Sequence, residues 1–186
     1  FSRDIAEHKR AEEQIQHHLN RITTLREIDH AITSTLDLES VLDLLLEKID
    51  LILPCPAATM VRLFNRGTRE LEFLACRNMN KEEWKARDAQ SRGGRAKVVF
   101  ETKSPLAVRN VQTDPQSWEP EFFRKYGVVS YLGIPLIAKD EVLGVLSFYT
   151  KEEHEFSNEE IEFLSTLATQ AAIAIHNSQL YEQTKM

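Results

Sequence analysis

From Ile5 to Leu36 the chain contains no Gly or Pro, and apolar residues recur at Ile15, Leu19, Ile22, Leu25, Ile28, Ile32 and Leu36. Steps of three and four place them on one helical stripe, while Glu12, Glu13, Gln16, Asn20, Arg21 and Glu27 occupy the other faces. A helix this long must bury that stripe, either on its own domain or on a second copy. The spacing favours a two-chain coiled coil, although two consecutive steps of three from Ile22 to Ile28 would put Arg26 in a strict heptad seam. After Thr33-Ser34-Thr35 the pattern restarts. Asp37 is the expected N-cap of a second helix from Leu38 to about Leu53, ended by Pro54 and Pro56.

Strand patterning follows. Ala58 to Phe64 and Leu71 to Cys76 flank the turn Asn65-Arg-Gly-Thr68 and read as an antiparallel hairpin. Lys81 to Gln90 is polar with Trp84 embedded and predicts a short helix closed by Gly93-Gly94; a further helix over Ala96 to Thr102 and a short strand over Leu106 to Arg109 come next. Asn110 to Tyr126 reads as irregular, with Trp118, Phe122, Phe123 and Tyr126 packing inward as a plug. Ser130 to Ala138 and Val142 to Thr150 form a second hairpin at the centre of the sheet. The last helix starts at a capping box, Ser157-Asn-Glu-Glu160, stapled by Phe156 and Ile161. Its apolar seam runs Ile161, Leu164, Ala168, Ala171 and Ile175 to Ser178.

At 186 residues the chain holds one globular domain with a few dozen residues to spare, at roughly 150 residues per domain. The net charge of −6 leaves no basic excess to track a phosphate backbone, which argues against nucleic acid as a partner. No apolar run approaches the ~20 residues that span a bilayer. Two cysteines without C-x-x-C spacing, Cys55 and Cys76, indicate neither a zinc site nor a disulfide framework and fit a reducing cytoplasm. The chain opens with Phe1-Ser-Arg-Asp, neither a start methionine nor a signal segment, and reads as part of something longer.

Catalytic constellations do not emerge. The six histidines include no i, i+4 pair flanking a glutamate; His17 and His18 are adjacent and point about 100° apart on a helix, so no metal is expected. There is no nucleophile elbow and no phosphate loop. Gly93-Gly94 reads first as a helix-breaking turn, with an anion nest beside Arg92 or Arg95 as the alternative. His30 lacks the downstream sequence of a kinase phosphoacceptor. Cys76 is read as a buried bystander, since thiolate chemistry needs a nearby cation and access. An antiparallel sheet, helices at both chain ends and an aromatic loop above it make a pocket without catalytic residues.

The run Ser130-Tyr-Leu-Gly-Ile-Pro-Leu-Ile-Ala-Lys-Asp-Glu-Val-Leu-Gly-Val-Leu, then Phe156-Ser157 and the helix ending Ala171-Ala-Ile-Ala-Ile-His-Asn-Ser-Gln-Leu-Tyr181, closely resembles the C-terminal half of a GAF domain. Thr33-Ser-Thr-Leu-Asp-Leu-Glu-Ser-Val-Leu42 is similar to the first helices of that family, and Thr102-Lys-Ser-Pro-Leu-Ala-Val-Arg-Asn-Val111 with Asp114-Pro115 to its middle. Asp4-Ile-Ala-Glu-His-Lys-Arg-Ala-Glu-Glu13 is similar to the segment that closes PAS domains and leads into a signalling helix.

The resemblance implies an α/β sandwich of the α+β type: a central antiparallel sheet of about six strands, long terminal helices on one face and a ligand pocket on the other. Residues 1–23 would be a signalling helix after a PAS-like domain, and residues 24–186 the GAF domain leading to an output domain. It implies a non-catalytic sensory module, homodimeric through its terminal helices, in a bacterial sensor histidine kinase or cyclic-di-GMP enzyme. The alternatives are a dimerising spacer with a vestigial pocket and a cysteine-dependent methionine sulfoxide reductase. Neither the cyclic-nucleotide signature nor a bilin-attaching cysteine beside a histidine is present, so no cofactor is named and the small molecule stays unidentified. The ligand-pocket candidates are Phe73, Ala75, Trp118, Phe122, Tyr126, Tyr131 and Leu132. The expected dimer seam is Ile15, Leu19, Ile22, Leu164, Ala168, Ala171 and Ile175.

Overall fold

The structure, a computed structural model, describes residues 2–34, 38–53, 57–91 and 93–185. Elements follow in the order α1 (Ser2–Ser34), α2 (Leu38–Ile52), β1 (Ala57–Asn65), β2 (Glu70–Arg77), α3 (Lys81–Ser91), α4 (Gly94–Thr102), β3 (Leu106–Val108), α5 (Pro120–Tyr126), β4 (Ser130–Ala138), β5 (Glu141–Thr150) and α6 (Asn158–Lys185). The strands make one sheet in the order β2-β1-β5-β4-β3, and every neighbouring pair is antiparallel. Among the described residues the sheet has five strands where about six were expected.

β4 and β5 are buried almost throughout, because helices cover both faces of the sheet. On the inner face, Val61, Leu132, Ile134, Leu136, Leu146 and Phe148 pack against Leu42, Leu45, Leu46 and Ile49 of α2 and Leu164, Leu167, Ala168, Ala171 and Ile175 of α6. On the outer face, Ala58, Met60, Tyr131 and Tyr149 meet Trp84 of α3 and Phe123 of α5, while Val145 meets Ala96 and Val99 of α4. Gly144 is required where β5 passes β1: a Cβ there would run into the Arg62 carbonyl.

The capping box is formed as expected. Ser157 N donates to Glu160 Oε1 and Glu160 N donates to Ser157 Oγ, each at 3.1 Å, and Phe156 and Ile161 both join the inner core. Asp37, the expected cap of α2, lies outside the described residues. The stretch 110–126, expected to be irregular, ends in α5. Pro120 sits in its first turn and Glu119, in the left-handed region at φ 54°, precedes it without a side-chain cap, so the start signal is weak.

The expected dimer seam is corrected in its C-terminal half. Leu164, Ala168, Ala171 and Ile175 are buried in the chain's own inner core, where the apolar stripe of α6 is covered by the sheet and α2. Ile15 and Leu19 of α1 are exposed, and Ile22 is half-buried. The side chains of Leu25, Ile28, Ile32 and Leu36 lie outside the described set. Arg21 ties α1 to the start of α6: it donates to Glu159 at 2.8 Å, and its guanidinium lies 4.8 Å from the Phe163 ring.

Candidate functional site

The outer face owes its character to a charged residue in an apolar strand. In Ala57-Ala-Thr-Met-Val-Arg-Leu-Phe64, alternation sends Val61 inward and Met60 and Arg62 outward. Arg62 is nearly fully buried, and its guanidinium donates to Asp88 of α3 at 2.8–2.9 Å and to Ser147 Oγ of β5 at 3.0 Å. Ser147 Oγ also lies 3.2 Å from the Tyr131 hydroxyl. Burial opposes the charge on Arg62, yet its surroundings, including Tyr149 and the Asp88 carboxylate, hold its pKa above the ordinary arginine value. Burial likewise pushes the Tyr131 phenol well up, so it remains protonated and able to donate. Gly133 leaves room for this arrangement: a Cβ there would collide with the Tyr131 hydroxyl and come within 2.8 Å of Val99 Cγ2.

Around this polar line stands an aromatic enclosure. α3 presents Trp84, Arg87 and Asp88 at i, i+3 and i+4, one face of the helix. Trp84 packs edge-on to Phe122 at 4.9 Å and lies 5.7 Å from Tyr126 and 4.9 Å from Tyr149 between ring centroids. Phe122 and Tyr126 are 4.9 Å apart, and Tyr131 and Tyr149 are 5.1 Å apart. The Arg87 guanidinium rests 4.4 Å from Phe123, 4.9 Å from Phe122 and 5.4 Å from Trp118, and donates to the Trp118 carbonyl at 2.8 Å. Arg95 of α4 donates to Asp114 at 2.8 Å and to Ser117 Oγ, holding the 110–119 segment against the sheet. That hydrogen bond from Arg95 is the main reason the Asp114 carboxyl lies below the usual carboxylate range.

The structure divides the expected pocket residues. Phe122, Tyr126 and Tyr131 come together with Phe73 on the outer face, and Trp118, a residue 43% exposed, joins through Arg87. Ala75 and Leu132 belong instead to the inner core. Leu132 follows Tyr131 directly in β4, so the two must face opposite ways. Two residues apart, Phe73 and Ala75 would share a face of a regular strand, but the β1–β2 register shifts between Val61 and Arg62: Val61 faces Ala75 and Arg62 faces Phe73. The extra residue, Leu74, reverses the parity. Sequence reasoning missed Arg62, Asp88, Arg87 and Ser147. The available signals were an arginine inside an otherwise apolar strand, and a Trp followed at the third and fourth positions by an Arg and an Asp.

The other candidates are already engaged or lie elsewhere. Arg95 is committed to Asp114 and Ser117, and Arg92 lies outside the described residues, as does Cys55. Cys76 is a free thiol that burial pushes up, opposed by Lys81, which is the reverse of thiolate activation. No group of three or more metal-ligating side chains occurs among the described residues, and no described helix is long and apolar enough to cross a membrane.

The chain is 31% identical over 187 aligned positions to the methyl sulfide methyltransferase-associated sensor of Methanosarcina acetivorans; the match covers 98% of this chain and 18% of that protein. The chain therefore spans about a fifth of that relative's length. Among solved structures it is similar to the GAF domain of a phosphoenolpyruvate-protein phosphotransferase from Coxiella burnetii, with a TM-score of 0.72 and 23% identity over 89% of this chain and 98% of that one. The fold is also shared with a free methionine-R-sulfoxide reductase from Neisseria meningitidis, at a TM-score of 0.66 and 13% identity over 87% of this chain and 91% of that one. The sequence profile of the GAF domain matches residues 35–176, and the chain belongs to the GAF domain family.

Proposed function

We propose that this chain is a non-catalytic sensory module. A small molecule held between the outer face of the sheet and α3–α5 biases the pose of the terminal helices, which pass it to an output domain. The observation that carries this reading is that the same strands serve both faces. Arg62, Ser147 and Tyr131 point into the aromatic enclosure, while their neighbours Val61, Leu146, Phe148 and Leu132 pack on α2 and α6. A change in what the outer face holds therefore bears directly on the layer against which the terminal helices rest. In this reading Phe73, Trp118, Phe122, Tyr126 and Tyr131 line the ligand site.

The module works as a pair of chains joined along α1. Residues 3–20 are exposed throughout, about 27 Å of helix at 1.5 Å per residue, and a lone helix of that length is marginal in water. Ile15 at 61% and Leu19 at 51% exposure supply the unburied stripe. The chain sits in a cytoplasmic multidomain sensor, a histidine kinase or a cyclic-di-GMP enzyme, with residues 1–23 following a PAS-like domain; α1 runs unbroken across 23 and 24. The reductase alternative is disfavoured by Cys76, whose thiol is pushed up rather than activated. Two measurements test the reading. Native mass spectrometry of the purified chain is expected to show a reproducible bound small molecule. Sedimentation is expected to show a dimer that Leu19→Asp dissociates, and a strictly monomeric chain at high micromolar concentration rejects the pairing.

A further inference from the structure

Three arginines approach the outer face, and two of them are neutralised. Arg62 pairs with Asp88, and Arg95 with Asp114. Arg87 has no carboxylate within ion-pair distance among the described residues; Asp88 and Glu119 act on it only from further off. Its guanidinium lies among Phe122, Phe123 and Trp118, with the Trp118 carbonyl as its hydrogen-bond acceptor. Its Nε is buried without a partner.

Two further polar atoms in the same ring cluster share that condition. Trp84 is 2% exposed and its Nε1 meets no acceptor; the Tyr126 hydroxyl is buried and meets none either. These groups stand together: Trp84 and Arg87 are one turn apart on α3, and Phe122 touches the Trp84 and Tyr126 rings and the Arg87 guanidinium. An indole N–H and a guanidinium N–H only donate, and a phenol can donate. A buried donor left unanswered destabilises the fold, so three in one cluster call for acceptors. A single uncompensated positive charge sets the charge they must bring at one negative unit.

We propose that the unanswered donors Arg87 Nε, Trp84 Nε1 and Tyr126 OH receive the carboxylate of a small organic monoanion whose flat or apolar body lies on the Phe122 and Trp118 rings. A phosphate dianion would bring a second charge with no cation to meet it, and an inorganic ion would leave the rings unused. The inference rests on the ligand-binding reading above and specifies its chemistry.

The chain carries two tryptophans, Trp84 and Trp118, and both belong to this site. Their fluorescence is the readout. Benzoate, phenylacetate and indole-3-acetate are titrated, each against its own amide and against inorganic phosphate. At least one acid is expected to give a saturable change and to bind at least about tenfold more tightly than its amide, a difference of about 1.4 kcal/mol. Arg87→Gln is expected to abolish that preference and Tyr126→Phe to weaken acid binding a few-fold, with circular dichroism confirming the fold of both. Arg87→Lys keeps the charge and is expected to retain part of the preference, which a purely structural role would not produce. Amides binding as well as acids, phosphate binding as well as the acids, or a neutral molecule co-purifying with the chain overturns the monoanion while leaving a ligand site. No saturable response to any probe, with nothing co-purifying, overturns both.

Discussion

The two faces of the sheet are built on opposite plans. The inner face is a predominantly apolar layer of aliphatic side chains with Phe148 and Phe156, packed between the strands, α2 and α6, and its polar exception is Thr59, opposite Phe148, whose hydroxyl meets no partner. The outer face holds a buried ion pair, two tyrosines with a serine between β4 and β5, and polar atoms that meet no partner. Apolar packing stabilises without needing partners, whereas each buried polar group stabilises only when satisfied. The inner face therefore stabilises the domain chiefly through packing, without depending on polar partners. The outer face combines a part that is satisfied, Arg62 with Asp88 and Ser147, with a part that is not, at Trp84, Arg87 and Tyr126.

This contrast breaks most readily at the ion pair. Asp88→Ala leaves Arg62 buried and unpaired and is expected to cost about 3–5 kcal/mol in urea unfolding, as removal of one partner from a buried pair does. The double change Arg62→Met, Asp88→Leu is expected to recover much of that loss. A harmless Asp88→Ala would show that the pair is solvated.

Next comes a matched comparison of the faces. Leu167→Ala on the inner face opens a cavity and is expected to cost about 2–5 kcal/mol. Trp84→Phe on the outer face removes volume but also an unanswered N–H, so part of the cavity cost is offset and the loss is expected to be smaller than at Leu167 by the same measurement. Equal losses would mean the indole N–H is satisfied and the faces do not differ in kind.

The smallest effect lies at the start of α6. Burial alone would raise the Glu160 carboxyl, but the Ser157 amide and the His154 ring outweigh it and hold it below the ordinary glutamate value. A carboxyl depressed in the folded state contributes stability above its unfolded value and loses it as pH falls through its folded value. Melting temperature is thus expected to drop with acidification across that window, and Glu160→Gln to flatten this part of the curve.

Most elements were legible because their signals are local. The capping box at Ser157, the two hairpins and the prolines ending α2 each lie within a few residues, and their predicted boundaries fall within one to two residues of those observed. What escaped depends on pairing at a distance. Arg62 and Asp88 lie 26 residues apart and nothing in the spacing links them. A single extra residue at Leu74 separates Phe73 from Ala75, and no local pattern announces it. The stripe of α6 was visible, but periodicity shows that a face is buried without showing what covers it, so a surface used by the domain itself was read as a dimer seam. α5 was missed because Glu119 supplies no side-chain cap.

The link from Asp88 to Arg62 also decides which wall of the enclosure can yield. α3 is fastened to β1 by a charged clamp, which resists its displacement from the sheet. α5 meets α3 through the edge of Trp84 and the Arg87 guanidinium against its phenylalanine rings and through the surface contact of Lys125 with Glu83 at 3.6 Å, which shift more readily than a buried ion pair breaks. In the proposed ligand-binding reading, α3 would therefore be the fixed jaw of the enclosure and α5 the adjustable one, while Arg95 pins the segment before it.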